Sequence, residues 1–155
     1  MVETAKEEQI AQQVKAATAL ISAAKTVAVL TGAGISTDSG IPDFRGPAGV
    51  WTLNPKAERA SNIDVYLTEP EVRRANWRVM ASGLWNGIKP NVGHYALADL
   101  DRRGYLHTLV TQNVDGLHVL AGTDSERVVE VHGTVWQSMC LRCGVRDDIE
   151  VVLER

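Results

Sequence analysis

Apolar residues recur at Ile10, Val14, Ala17, Leu20, Ile21 and Ala24, the spacing of one helix face, with lysines and glutamines between them. The pattern predicts an amphipathic N-terminal helix that caps one side of the fold. The period then changes. Thr26 to Thr31 is a short apolar, β-branched run that predicts a fully buried strand feeding directly into a glycine-rich turn. Leu106–Thr111 and Val128–Val131 read as two further buried strands. From Pro42 to Asn62 the residues are polar or turn-forming without any period, which predicts a long ordered loop. Thr68-Glu69-Pro70-Glu71 has the form of a capping box with proline in the first turn, so a helix is expected from about Glu69 toward Ser82. Asn91 reads as the N-cap of a helix that ends at Gly104, with Arg102 and Arg103 at its negative end. Strands alternating with helices predict an α/β domain with a parallel sheet and helices on both faces. There is no internal repeat and no low-complexity tract.

Composition narrows the class. The chain has 155 residues, net charge −3 and 45% hydrophobic residues, enough for one soluble domain with a core. No apolar run approaches the ~20 residues that span a bilayer, and the N-terminus lacks a basic-then-apolar signal pattern. No membrane association is expected. Basic residues come in short pairs such as Arg73-Arg74, so direct nucleic-acid binding is not implied. Two cysteines spaced C-x-x-C, without an export signal, favour a reducing compartment; the cytoplasm is the default location.

The candidate chemistry lies where the predicted strands end. After the first strand comes Thr31-Gly32-Ala33-Gly34-Ile35-Ser36-Thr37-Asp38-Ser39-Gly40-Ile41-Pro42-Asp43-Phe44-Arg45-Gly46. Its glycines let the backbone approach phosphate oxygens, and a helical turn near Ile35 would point free N–H groups at an anion. Thr37 stands where the third glycine of the G-x-G-x-x-G fingerprint would fall, so the glycine spacing alone is a weak signal. Ligands of open α/β sheets bind beyond the carboxyl ends of the strands, so Gly32, Gln112 and His132 are expected to converge on one crevice. His132 at a strand end suits a general base near neutral pH, although a lone histidine is more often a satisfied core residue. Asn113 and Asp115 either bind ribose hydroxyls and a carboxamide or merely close a turn. Cys140 and Cys143 supply half of the four ligands a structural zinc needs, and a reduced metal-free pair is the alternative.

The first loop resembles the cofactor loop of the sirtuins, the NAD-dependent protein lysine deacylases. Four more segments agree in the family's order. Pro90-Asn91-Val92-Gly93-His94-Tyr95-Ala96-Leu97 resembles the helix before the second motif, and Thr111-Gln112-Asn113-Val114-Asp115-Gly116-Leu117-His118 with Ala121-Gly122 resembles that motif. Val129-Glu130-Val131-His132-Gly133 resembles the catalytic histidine motif, and Cys140-Leu141-Arg142-Cys143 the first half of the zinc site. The similarity runs from about Ala24 to Gly144.

The resemblance implies a Rossmann-like sheet that binds NAD, and an acylated protein lysine as substrate, whose acyl group passes to ADP-ribose as nicotinamide leaves. By resemblance, His132 deprotonates a ribose hydroxyl. Ala33 and Ser36 meet the pyrophosphate and a water, Gly32 and Gly34 belong to the same cofactor-binding loop, Asp43 and Arg45 anchor it, and Phe44 screens the reacting sugar carbon. Gln112, Asn113 and Asp115 line the ribose and nicotinamide pockets. Residues 1–134 would be the N-terminal part of the NAD-binding domain and 135–155 the start of a zinc module holding Cys140 and Cys143. The family's second C-x-x-C is absent from the 155 residues, so the resemblance implies an N-terminal portion truncated within that module. A non-catalytic remnant and a mono-ADP-ribosyltransferase are the alternatives. Trp77 and Met80 stand where relatives that remove acidic acyl groups carry tyrosine and arginine, which implies a preference for neutral acyl groups.

Overall fold

The computed structural model describes residues 2–155; Met1, the first residue of the expected 1–134 unit, lies outside the described residues. The chain opens with α1 (Val2–Ala23), followed by β1 (Val27–Thr31) and a 3-10 turn over Ala33–Ser39. Four helices follow: α2 (Val50–Leu53), α3 (Pro55–Ala60), α4 (Ile63–Thr68) and α5 (Pro70–Ala81). Then come α6 (Val92–Arg102), β2 (Leu106–Thr111), α7 (Leu117–Leu120) and β3 (Val128–Glu130). A β4 (Gln137–Met139) and β5 (Arg146–Asp148) hairpin and α8 (Ile149–Leu153) complete the order.

Strands β1, β2 and β3 form a parallel sheet in that spatial order, with Val29 beside Leu109 and Leu109 beside Val128. The sheet is of the expected α/β, Rossmann-like kind. Its core lies on one side: Leu106, Leu109, Ala98 and Leu117 are buried, where α6 and α7 pack. The other side departs from the reading of fully buried strands. Leu30, Val110 and Val129 form the next row across the sheet, and Leu30 is 69% exposed and Val129 48%. An apolar run shows that a strand can be buried on both faces, but covering needs a second layer to be present.

The same reason corrects the expectation that α1 caps the fold. Its apolar stripe is on the surface, with Leu20 75% exposed and Ile10 and Val14 exposed beside it. The expected loop over 42–62 is also corrected, because α2, α3 and the cap of α4 fall within it. Helices of four to six residues are too short to show a period, but their starts obey local rules. Pro55 opens α3, and the Asn62 side chain caps α4 by accepting the Asp64 and Val65 N–H groups.

Helix α5 begins at Pro70 as expected, but the capping box does not form. The Thr68 hydroxyl donates to the Asp64 carbonyl, and the Glu69 carboxylate pairs with Arg59. For α6 the prediction holds: Asn91 caps it, Arg102 and Arg103 both pair with Asp99, and Gly104 follows with φ 76°.

The exposed row on the sheet generates a measurable expectation, since uncovered apolar faces and open strand edges promote association. Sedimentation velocity on the 155-residue chain should show concentration-dependent self-association, and Leu30→Lys should reduce it without changing the circular dichroism spectrum. A wild-type chain that stays monomeric across the same concentrations would contradict this.

Candidate functional site

The carboxyl ends of the three parallel strands surround a cavity of about 480 Å³. Ala33 and Ser36 line it from the loop after β1, Gln112, Asn113 and Asp115 from the loop after β2, and His132 from the segment after β3. Phe44 and Arg45 close the remaining side. Residues up to 99 positions apart in sequence are thus brought together by parallel register alone, as the crevice rule for open sheets requires.

Gly32 and Gly34 form the loop's backbone and do not line the cavity. Neither has a positive φ, and a Cβ built on either meets nothing within 4 Å. Neither backbone strain nor internal packing calls for glycine at these positions; what glycine preserves is a bare outer surface that another group can approach closely. Asp43 accepts the Gly46 N–H at 2.9 Å, so it shapes the Phe44–Gly46 turn from behind. Phe44 stacks on Trp51 at 4.7 Å between ring centroids, and the Arg45 guanidinium lies 4.5 Å from the Trp51 ring centre. That cation–π contact fixes a charged side chain at the cavity wall.

A buried hydrogen-bond network joins the first two loops. The Ser36 hydroxyl donates to Asp115 Oδ2 at 2.7 Å and accepts from Asn113 Nδ2 at 3.0 Å. Asp115 Oδ1 accepts the Leu117 N–H at 2.9 Å. Asp115 thus closes the turn through one carboxylate oxygen and ties the two loops together through the other. Gly116 follows with φ 72°, and a Cβ there would lie 2.8 Å from Trp136 Nε1. That indole donates to the Asp115 carbonyl at 2.8 Å, so glycine is needed for both conformation and approach.

His94 and His118, which the motifs leave without a role, are almost wholly buried behind this network. Asn91-x-x-His94 has capping-box spacing, a signal that was available: His94 Nδ1 accepts the Asn91 N–H while Asn91 caps the helix. Burial depresses the His94 pKa, partly offset by the Asp115 charge. Burial, and then repulsion from His94, push His118 down to about 4, against a smaller opposite pull from Asp115. Trp51 and Trp85 also line the cavity, and no spacing in the sequence marks them. Glu130, two residues before His132, is raised by burial and by the nearby Asp115 charge.

Cys140 and Cys143 sit at the exposed turn of the β4–β5 hairpin. Backbone N–H groups of Cys143 and Arg142, then the Cys143 thiol, hydrogen-bond Cys140 and lower its pKa. Such a turn favours a thiolate and suits two ligands of a zinc ion. Among the described residues no cluster of three or more histidine, cysteine or acidic side chains could hold a metal. The chain's own residues thus fit half of a closed zinc site.

A parallel sheet whose strand ends deliver a glycine loop, an amide–carboxylate turn and a histidine to one crevice is a Rossmann-like architecture. The Sir2 family model matches residues 32–155, and the chain belongs to the Sir2 family. It is 47% identical over 129 residues to NAD-dependent protein deacetylase 2 of Streptomyces coelicolor, covering 83% of this chain and 54% of that protein. The NAD-dependent protein deacetylase of Bacillus subtilis is 39% identical over 137 residues, covering 88% and 55%. Among solved structures, a Sir2 variant with a deacetylated p53 peptide and 3'-O-acetyl ADP-ribose superposes with TM-score 0.76 at 36% identity, covering 90% of this chain and 55% of that one. The chain spans about half the length of the curated relatives it matches.

The depressed histidines set a pH dependence. A histidine whose folded pKa lies below its unfolded value of about 6.5 is protonated first in the unfolded chain. Folding stability should therefore fall as pH drops from about 6.5 toward 4, the range bounded by the unfolded value and that of folded His118. Urea midpoints measured across this range should show the loss, and His118→Gln should flatten it; an unchanged slope in the variant would remove His118 as the cause.

Proposed function

We propose that this chain carries the nicotinamide-ribose side and the general base of an NAD-dependent protein lysine deacylase, which passes the acyl group of a modified lysine to ADP-ribose. The convergence of Ser36, Asn113, Asp115 and His132 on one cavity carries the reading. The similarity to NAD-dependent protein deacetylases supports it. NAD supplies the leaving nicotinamide and the ribose hydroxyls.

The bare loop over Gly32, Ala33 and Gly34, with Ser36, would hold the pyrophosphate, with Asp43 and Arg45 keeping the loop closed. Gln112 would contact the ribose, while Asn113 and Asp115 bind ribose and carboxamide. Phe44 would keep water from the reacting carbon, since positive charge develops there and a dry pocket protects it. His132 would take the proton from a ribose hydroxyl. No covalent enzyme nucleophile is needed.

The division at 134/135 belongs to the same reading: the hairpin and its cysteines begin a module separate from the parallel sheet. Cys140 and Cys143 would hold zinc together with two ligands from outside the described residues. A reducing, cytoplasmic setting fits the free thiols. No helix among the described residues is long and apolar enough to cross a membrane. The partner is an acylated protein lysine, and no nucleic acid is required.

A second reading, binding without turnover, is favoured by the exposed face at Leu30 and Val129. Nicotinamide release from the 155-residue chain with acetylated peptide separates the two. Turnover far below ~1 s⁻¹ with measurable ADP-ribose binding supports a binding unit that needs its second layer.

His132→Ala, tested in a chimera with the remaining length of the Streptomyces coelicolor relative, should slow deacetylation by ~10²–10⁴-fold. Calorimetry should find ADP-ribose binding retained. A parental rate would dismiss His132 as the base.

Acyl preference follows from a neighbouring cavity of about 280 Å³ lined by Tyr66, Trp77, Met80, Val114 and Val135 among others, with no charged side chain. Trp77 is anchored there by its Nε1–H to the Tyr66 hydroxyl at 3.0 Å. An acyl carboxylate entering it would be unpaired. The same chimera should remove acetyl faster than succinyl from one peptide, and the reverse order would overturn this assignment.

A further inference from the structure

His94 and His118 are the buried titratable pair that the proposed chemistry does not use. Neither lines the 480 Å³ cavity. The protonation of His94 follows from its contacts. Because Nδ1 accepts the Asn91 N–H at 3.3 Å, a neutral ring carries its proton on Nε2, which faces the Ser36 hydroxyl at 3.4 Å. Ser36 gives its own proton to Asp115, so it accepts from both His94 and Asn113. One tautomer of His94 satisfies both of its ring nitrogens and the Ser36 hydroxyl, while Nδ1 of His118 is left without a partner among the described residues.

His118 stands behind that ring. Its imidazole lies 4.9 Å from that of His94, tilted by 53°, and its Nε2 is 2.9 Å from the Thr31 hydroxyl. Thr31 is the last residue of β1, immediately before Gly32. His118 therefore touches both supports of the glycine loop: the strand end from which it leaves and the ring that holds Ser36.

We propose that His118 is a positioning residue for this loop, acting through Thr31 and His94 and never on the ligand itself. The inference rests on the reading that the loop holds the ADP-ribose part of NAD. Two properties of the side chain are used separately. Its ring packs on His94, and its Nε2 bonds Thr31, so a variant can keep one and lose the other. His118→Phe keeps a ring without the hydrogen bond. His118→Gln keeps a polar group of similar reach, and Thr31→Val removes the same bond from the other side with almost no change of shape.

The test uses the 155-residue chain and two readouts. The first, without ligand, is amide hydrogen exchange at Gly34, Ile35 and Ser36 relative to Leu109 in the core of β2, together with the ¹⁵N shifts that report the His94 tautomer. The second is the Kd for ADP-ribose. His118→Phe and Thr31→Val should each speed loop exchange relative to Leu109 by on the order of tenfold, the effect of one buried hydrogen bond. Their combination should add little more, and His118→Gln should recover most of the loss. The ADP-ribose Kd should rise in parallel.

Wild-type loop exchange in Thr31→Val overturns the proposal, even where His118→Phe fails to fold. Equal loss in the Phe and Gln variants also overturns it, because the hydrogen-bonding group that Gln keeps would then make no difference to the loop. A wild-type chain that does not bind ADP-ribose would refute the NAD reading, while the exchange measurements still decide the role of His118.

Discussion

The hydrogen bond from Ser36 to Asp115 is the contact on which the rest of the site depends. It joins the loop after β1 to the loop after β2 at 2.7 Å, across 79 positions of sequence, in a place where both residues are buried. A carboxylate removed from water needs donors on its oxygens, and Asp115 has the Ser36 hydroxyl on one and the Leu117 N–H on the other. Ser36 in turn is surrounded by Asn113 and His94. Satisfying one buried charge thus determines where two loops, a helix cap and an aromatic pair must sit. The cavity is the space left in front of that arrangement.

The same desolvation explains the electrical character of the site. Burial lowers the pKa of both His94 and His118, repulsion from His94 adds to the shift at His118, and the Asp115 charge only partly offsets these effects. Glu130 moves the other way for the same two causes, burial and the Asp115 charge. In front of the network the balance reverses: His132, Gln112 and Phe44 are exposed, and the Arg45 guanidinium is held against Trp51. The network is therefore a buried, hydrogen-bonded backing, and the cavity in front of it mixes the polar Gln112 and His132 with the aromatic Phe44, Trp51 and Trp85.

The sheet shows the opposite situation, in which a requirement is unmet. Leu109 is completely buried under α6, yet Leu30, one row along, is mostly exposed. The Sir2 relatives are nearly twice as long as the segment they share with this chain. The exposed row and the bare stripe of α1 are two surfaces whose apolar side chains are left uncovered among the described residues.

Much of this was legible locally. Asn91 as a cap, Pro70 as a helix opener and the glycine-rich turn after β1 obey rules that act over four residues, so the residues themselves determine them. The strand positions were also legible, and with parallel order they implied the crevice that Gln112 and His132 share, although Gly32 stays in the loop backbone outside its lining. The helices α2 to α4 were not, because a period needs more than one or two turns to appear. Thr68 and Glu69 were misleading, since Asp64 and Arg59 compete for their side chains. The burial of His94 and His118, the Ser36–Asp115 hydrogen bond and the exposure of Leu30 were decided only in three dimensions. Each depends on which groups arrive from distant parts of the chain, or fail to arrive, and desolvation is a property of the assembled neighbourhood that no stretch of sequence carries alone.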